Sequence, residues 1–200
     1  MLIALITFSC NKSVEPNEKF ELKVKPVSKE TLERIYISLK NTNAFDSRER
    51  VNIIKQLNTN SSNLRNLEED ITNIIQPLVE NGRQIHNEML GYISGSEEWN
   101  TLSEQDKNTI LNLSDPQLAA LSFQYASVIQ PNGGVNEAAI KDCVGVALGI
   151  HGLKTILTDI FVAPTISGTI SLLKFMGRRY IGYIGIAWMV WDFYDCMSHF

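Results

Sequence analysis

An all-α, multi-helix bundle is the fold class this sequence predicts. Three observations carry that reading. Apolar residues recur at i, i+3, i+4 and i+7 in one segment after another. A serine or aspartate stands just before several of those segments, where it can cap a helix. No stretch alternates apolar and polar residues for long enough to demand a strand.

Composition sets the outer bounds. The 200 residues are 44% hydrophobic and 20% charged, enough to bury a core and too apolar for general disorder. The net charge is −4, and no basic stripe with interleaved aromatics occurs, which excludes a nucleic-acid binder working by bulk charge.

The helical domain is expected over residues 28–130. Leu32, Ile35, Tyr36 and Leu39 form the first apolar stripe, behind a Ser28 N-cap and with Glu30 and Glu33 near the helix start. Asn41-Thr42-Asn43 ends it. Asp46 or Ser47 can open a second helix with Val51, Ile54 and Leu57 apolar, closed by the polar run 58–63. A third helix spans about 64–92 on Leu64, Leu67, Ile71, Ile74, Ile75 and Leu78. Pro77 is expected to kink or split it, because proline removes a backbone donor, and Gly82 adds a weak point. Ser103 then caps a helix with early acids. Pro116 behind Ser114 or Asp115 starts another, with Leu118, Leu121, Phe123 and Tyr125 as its apolar face. Gln130-Pro-Asn-Gly-Gly134 is the strongest break in the chain and marks a boundary.

The N-terminus reads differently. Residues 1–10, Met-Leu-Ile-Ala-Leu-Ile-Thr-Phe-Ser-Cys, form an apolar run ending in a small residue and Cys10, followed at once by polar residues. The run is too short to cross a bilayer, which takes about 20 apolar residues. With Ile6 and the Ser9-Cys10 pair it resembles a bacterial lipoprotein signal with a type II cleavage site, in the serine-cysteine form of Bacteroidetes-type bacteria. Phe8 departs from the small residue common at its place. No basic residues precede the run, and a start upstream of Met1 would supply them. The resemblance implies cleavage before Cys10 and lipid on its sulfur. It also implies a bacterial envelope location, with the chain anchored to the inner or outer membrane. Residues 11–27, carrying Pro16, Pro26 and many charges, then read as a tether.

Residues 135–200 form a Gly-rich apolar module. They hold seven of the twelve glycines and balance five positive with five negative charges. Helices are expected from Asn136 to about Leu157 and from about Arg178 to Met197, with a broken stretch between. Gly145 with Gly149, and Gly182 with Gly185, offer faces for close helix packing. With Cys10 lipidated, Cys143 and Cys196 are left together in an oxidising compartment, where a disulfide follows. Their positions, near the start of one helix and the end of the other, require those helices to run antiparallel. A Gly-rich helical hairpin closed by one disulfide resembles small membrane-active bacteriocins in composition and cysteine placement. Lys174, Arg178 and Arg179, with Trp188 and Trp191, are the expected membrane or partner surface.

Catalytic signatures are sparse. His86, His151 and His199 have no metal-ligand partner at helical spacing, and no Cys-x-x-Cys, nucleophile elbow or phosphate loop occurs. No cofactor or metal is expected. Asp192 with Asp195, and Glu68-Glu69-Asp70, read as surface acids. The expectation is a non-enzymatic, lipid-anchored envelope protein whose C-terminal module binds a protein partner or acts on membranes. The competing expectation is an envelope hydrolase built from scattered carboxylates and His151.

Overall fold

Helices account for the regular structure of the computed structural model, which describes residues 20–42, 62–129, 143, 160–179 and 181–199. Among those residues there is no strand. The elements are α1 (Lys29–Asn41), α2 (Ser62–Ile93), α3 (Glu97–Asn100), α4 (Glu104–Leu111), α5 (Asp115–Ile129), α6 (Ile166–Arg178) and α7 (Tyr183–Met197). The expected helices at 46–57 and 136–157 lie outside the described residues, apart from helical Cys143.

The helix starts follow local chemistry. Ser28 accepts from the Thr31 amide and Ser103 from the Asp106 amide, each satisfying one of the donors a first turn leaves open. At α5 the roles are reversed. The Gln117 side chain reaches back to accept from the Ser114 amide at 2.7 Å, as in half of a capping box.

α2 is one continuous 32-residue helix and is not split at Pro77. Pro77 and Asn73, the residue whose carbonyl loses its partner, both lie on the exposed face. A carbonyl freed on the exposed face is open to solvent, so the missing hydrogen bond costs less than it would in the core. The opposite face buries Ile71, Ile75, Leu78, Val79, Ile85, Met89 and Ile93 completely.

α5 is the centre of the molecule. Every residue from Pro116 to Ser127 is buried, so the helix has no solvent face. α2 forms its most extensive partner, and α6 and α7 also pack against it. Three polar side chains on α5 are accommodated one at a time. Ser122 bonds Asn81 at 2.8 Å, Ser127 donates to the Phe123 carbonyl, and Gln117 donates to the Arg179 carbonyl at 2.8 Å. His86 of α2, also buried, donates from Nε2 to the Ile110 carbonyl at 2.8 Å. Burial lowers its pKa below the ordinary histidine value, against a smaller opposing effect of that hydrogen bond. The folded chain therefore holds this ring neutral, and its contribution to stability is complete above a pH of about 6.5 and declines below.

Close backbone approach occurs at glycines other than those expected. A Cβ at Gly82 would stand 1.9 Å from the Leu118 carbonyl oxygen, so α2 and α5 cross in backbone contact. A Cβ at Gly177 would stand 2.5 Å from the Thr109 carbonyl oxygen, which puts α6 directly on α4. Gly182 has nothing within 4 Å of such a Cβ and Gly185 only an ordinary contact with Ile181. Close packing at that pair is therefore not found, while Gly145 and Gly149 lie outside the described residues.

Two further expectations are corrected. The last helix does not begin at Arg178. α6 ends there, Arg179 is extended, and α7 starts behind Gly182. The tether expected over 11–27 does not extend to residue 27. Residues 20–27 are a docked strap: Leu22 and Val27 are buried, and Phe20 stacks on Tyr92 with ring centroids 4.0 Å apart. Glu88 accepts from the Lys23 and Val24 amides at 2.8 and 3.2 Å. Asn81 and Tyr125 donate to the Lys25 and Val24 carbonyls.

The C-terminal module is closed as expected. Cys143 and Cys196 form a disulfide with their Cα atoms 5.5 Å apart, and Cys143 is fully buried. The buried residues of α1, α2, α5, α6 and α7 belong to one hydrophobic cluster. The α6 and α7 side chains thus share a core with the N-terminal helices.

Candidate functional site

The site is assembled where α6 lies across α4. Asp106 sits in the first turn of α4, where the helix dipole favours a carboxylate. Lys174 and Arg178 are four residues apart on α6 and so project from one face near its C-terminus, where cations are favoured. The glycine contact at 177 brings these two surfaces together. Lys174 Nζ reaches one carboxylate oxygen of Asp106 and Arg178 Nη2 the other, both at 2.8 Å. The hydrogen bonds from Lys174 and then Arg178 hold the Asp106 pKa below the ordinary carboxylate value. The clasp is fully formed above the ordinary Asp range and is lost only as the pH falls through that lowered pKa.

Beside this clasp runs an open groove of about 650 Å³ between α6 and the α3–α4 region. Its floor is apolar, from Leu102, Ile170 and Phe175. The hydroxyls of Thr101, Ser167 and Ser171 line its middle, and Lys174, Arg178 and Arg179 its basic end. The Arg179 guanidinium lies over the Phe175 ring, 5.3 Å from the centroid, in cation–π contact. Glu98 is the acid on the wall.

Three of the five expected surface residues, Lys174, Arg178 and Arg179, are therefore brought together. Trp188 and Trp191 are not with them. Both are partly buried on α7 and pack against the core, and the Trp191 ring lies 5.3 Å from that of Tyr36 on α1. Tyr36 also stacks on Tyr194 at 4.8 Å. Trp191 thus belongs to the α1–α7 contact. His151 and Cys10 lie outside the described residues.

Sequence reading missed Asp106 as a partner of the basic pair, seeing only an acid at a helix start. It also missed Thr101, Ser167 and Ser171, which carry no signal until α3 and α6 are placed side by side. A second open concavity is lined by Phe20–Lys23 of the strap with Glu88, Gly91 and Tyr92. Its Glu88 carboxylate is already engaged in docking the strap.

Among the described residues, no group of three His, Cys, Asp or Glu side chains is placed to hold a metal ion. No described helix is long and apolar enough to cross a membrane. Comparison with family models, with curated proteins and with solved structures finds no match for this chain.

Proposed function

We propose that this chain is a lipid-anchored protein of the bacterial cell envelope, without catalytic activity, whose C-terminal helices contact a partner or a membrane. The observation that carries this reading is the apolar run ending in Ser9-Cys10 and followed at once by polar residues. The Cys143–Cys196 disulfide supports it, because disulfides persist in oxidising compartments such as the periplasm. The docked strap sets the reach of such an anchor. It brings the chain to the protein body at Phe20, ten residues after Cys10, so an anchored body stays within about 35 Å of the lipid. Acylation at several positions makes such an anchor firm, since each buried methylene contributes about 0.8 kcal/mol.

Expression of the full chain in a bacterial host tests the reading. The wild-type protein is expected in the membrane fraction, to resist a high-salt wash, and to be released by detergent. Cys10→Ser is expected in the soluble fraction after the same wash. A Cys10→Ser protein as salt-resistant as the wild type would overturn the proposal.

A further inference from the structure

We propose that the groove between α3 and α6 binds phosphate headgroups of anionic membrane lipids, with Lys174 and Arg178 as their ligands. The choice of a membrane lipid as occupant rests on the anchored reading above; the chemistry of the groove does not.

The cations have capacity to spare. An ammonium carries three N–H donors and a guanidinium five, and Asp106 takes one from each. The pair therefore keeps a net positive charge beside its carboxylate. Arg178 is 63% exposed and Lys174 25%, so a headgroup reaches them without disturbing the core. Phosphate diesters suit this arrangement, since lysine and arginine offer charge-assisted donors from two directions. Apart from the Glu98 carboxylate on its wall, the rest of the groove suits what is attached to the phosphate. Thr101, Ser167 and Ser171 present hydroxyls for a glycerol backbone, and Leu102, Ile170 and Phe175 an apolar floor for the first acyl carbons. The basic end is a local exception on a chain of net charge −4, so an anionic surface is drawn to this face rather than to the molecule at large.

The position of the strap makes the membrane the fitting source of that phosphate. Phe20 stacks on Tyr92, and the Tyr92 hydroxyl donates to the Pro164 carbonyl, just before α6. The groove begins at Ser167 and ends at Arg178, about 18 Å along the helix from its first residue. The length of chain between Cys10 and Phe20 exceeds that distance, so an anchored molecule can lay this groove on the bilayer.

The test uses full-length Cys10→Ser protein, which carries no lipid, so its outcome is independent of the anchor. Co-sedimentation is measured with neutral phosphatidylcholine vesicles and with vesicles containing one third phosphatidylglycerol. Binding to the anionic vesicles is expected to be about fivefold stronger, from the one net positive charge that Lys174 and Arg178 keep beside Asp106. Ser167→Glu with Ser171→Glu puts two carboxylates into the groove while leaving the Asp106 clasp in place. This pair is expected to remove most of that preference. Gln84→Glu with Asn87→Glu makes the same charge change on the exposed face of α2 and is expected to leave the preference within about twofold, a screened long-range effect. Circular dichroism confirms that each variant is folded. Equal binding to both vesicles, or equal loss in the two double variants, would overturn the proposal. So would binding of soluble glycerol phosphate without binding of anionic vesicles, which would make the occupant a free phosphate ester. Failure of lipidation at Cys10 together with groove-dependent vesicle binding would sink the anchor alone.

Discussion

Removing the Cys143–Cys196 bridge is expected to lower the unfolding free energy by roughly 4 kcal/mol. The bond closes a loop across a sequence separation of 53 residues, and in the chain-entropy account its main action is to restrict the unfolded ensemble. The folded state loses little else, because Cys143 stays packed as a small apolar residue and Cys196 sits in the last turn of α7. The loop carries all of α6, so the constraint acts on the helix that bears Lys174 and Arg178. The comparison is urea unfolding of the wild type, with and without reductant, against Cys143→Ala with Cys196→Ala. Reduced protein and double variant are expected to unfold together, well below the oxidised wild type. Coincident curves for oxidised and reduced protein would show that the bridge is absent or energetically idle.

Gly82→Ala is the second large effect, with an expected loss of about 2–3 kcal/mol, at the upper end of what overpacking costs. Two opposing terms decide its sign. In an exposed helix the change would be favourable by about 1 kcal/mol, since alanine has the higher helix propensity. Here the new methyl group would meet the Leu118 carbonyl oxygen and carbon at 1.9 and 2.5 Å. Those are backbone atoms of the central helix, and they cannot swing aside as a side chain would. α2 and α5 must separate, which loosens the most extensive helix pair in the molecule. Gly91→Ala supplies the control. It lies in the same helix with nothing within 4 Å of the added Cβ, so it is expected to be neutral or stabilising. Thermal unfolding of the two variants decides the matter, and equal stability would remove the backbone contact from the account.

Much of the architecture was legible because it is written locally. Ser28 and Ser103 cap the helices they precede, and Pro116 stands in the first turn of α5. The cysteine positions were informative for a related reason, since their distance along the chain constrains how the intervening helices turn. What could not be read depends on neighbours remote in sequence. α5 showed one apolar face, yet small residues such as Ala119, Ala120, Ser122 and Ala126 let other helices pack around its whole circumference. Gly82 looked like a weak point, and Gly177 fell in the stretch read as broken. Both lie inside helices because another backbone passes against them. Misreading Gly177 also displaced the start of the last helix, which begins behind Gly182 with no side-chain cap to announce it. Residues 20–27 looked like a tether because their charges are visible in sequence and the Glu88, Asn81 and Tyr125 side chains that hold their backbone are not.

The candidate site divides along the same line. Lys174, Arg178 and Arg179 were singled out in the sequence as surface cations, whereas Asp106 lies 68 residues from Lys174 and joins it only through the α4–α6 contact. Trp188 and Trp191 were grouped with those cations by sequence proximity. They lie instead on α7, which starts behind Gly182, and pack partly buried against the core.

Cys143 and Cys196 close the C-terminal helices, and Cys10 is the proposed envelope anchor. Intact mass of the chain purified from a bacterial host, recorded before and after reduction, tests both most directly. A lipid-anchored, disulfide-closed protein is expected to begin at Cys10, to be heavier by its acyl groups, and to gain the mass of two hydrogens on reduction. An unacylated chain retaining residues 1–9, with its mass unchanged by reduction, would contradict both the anchor and the closure.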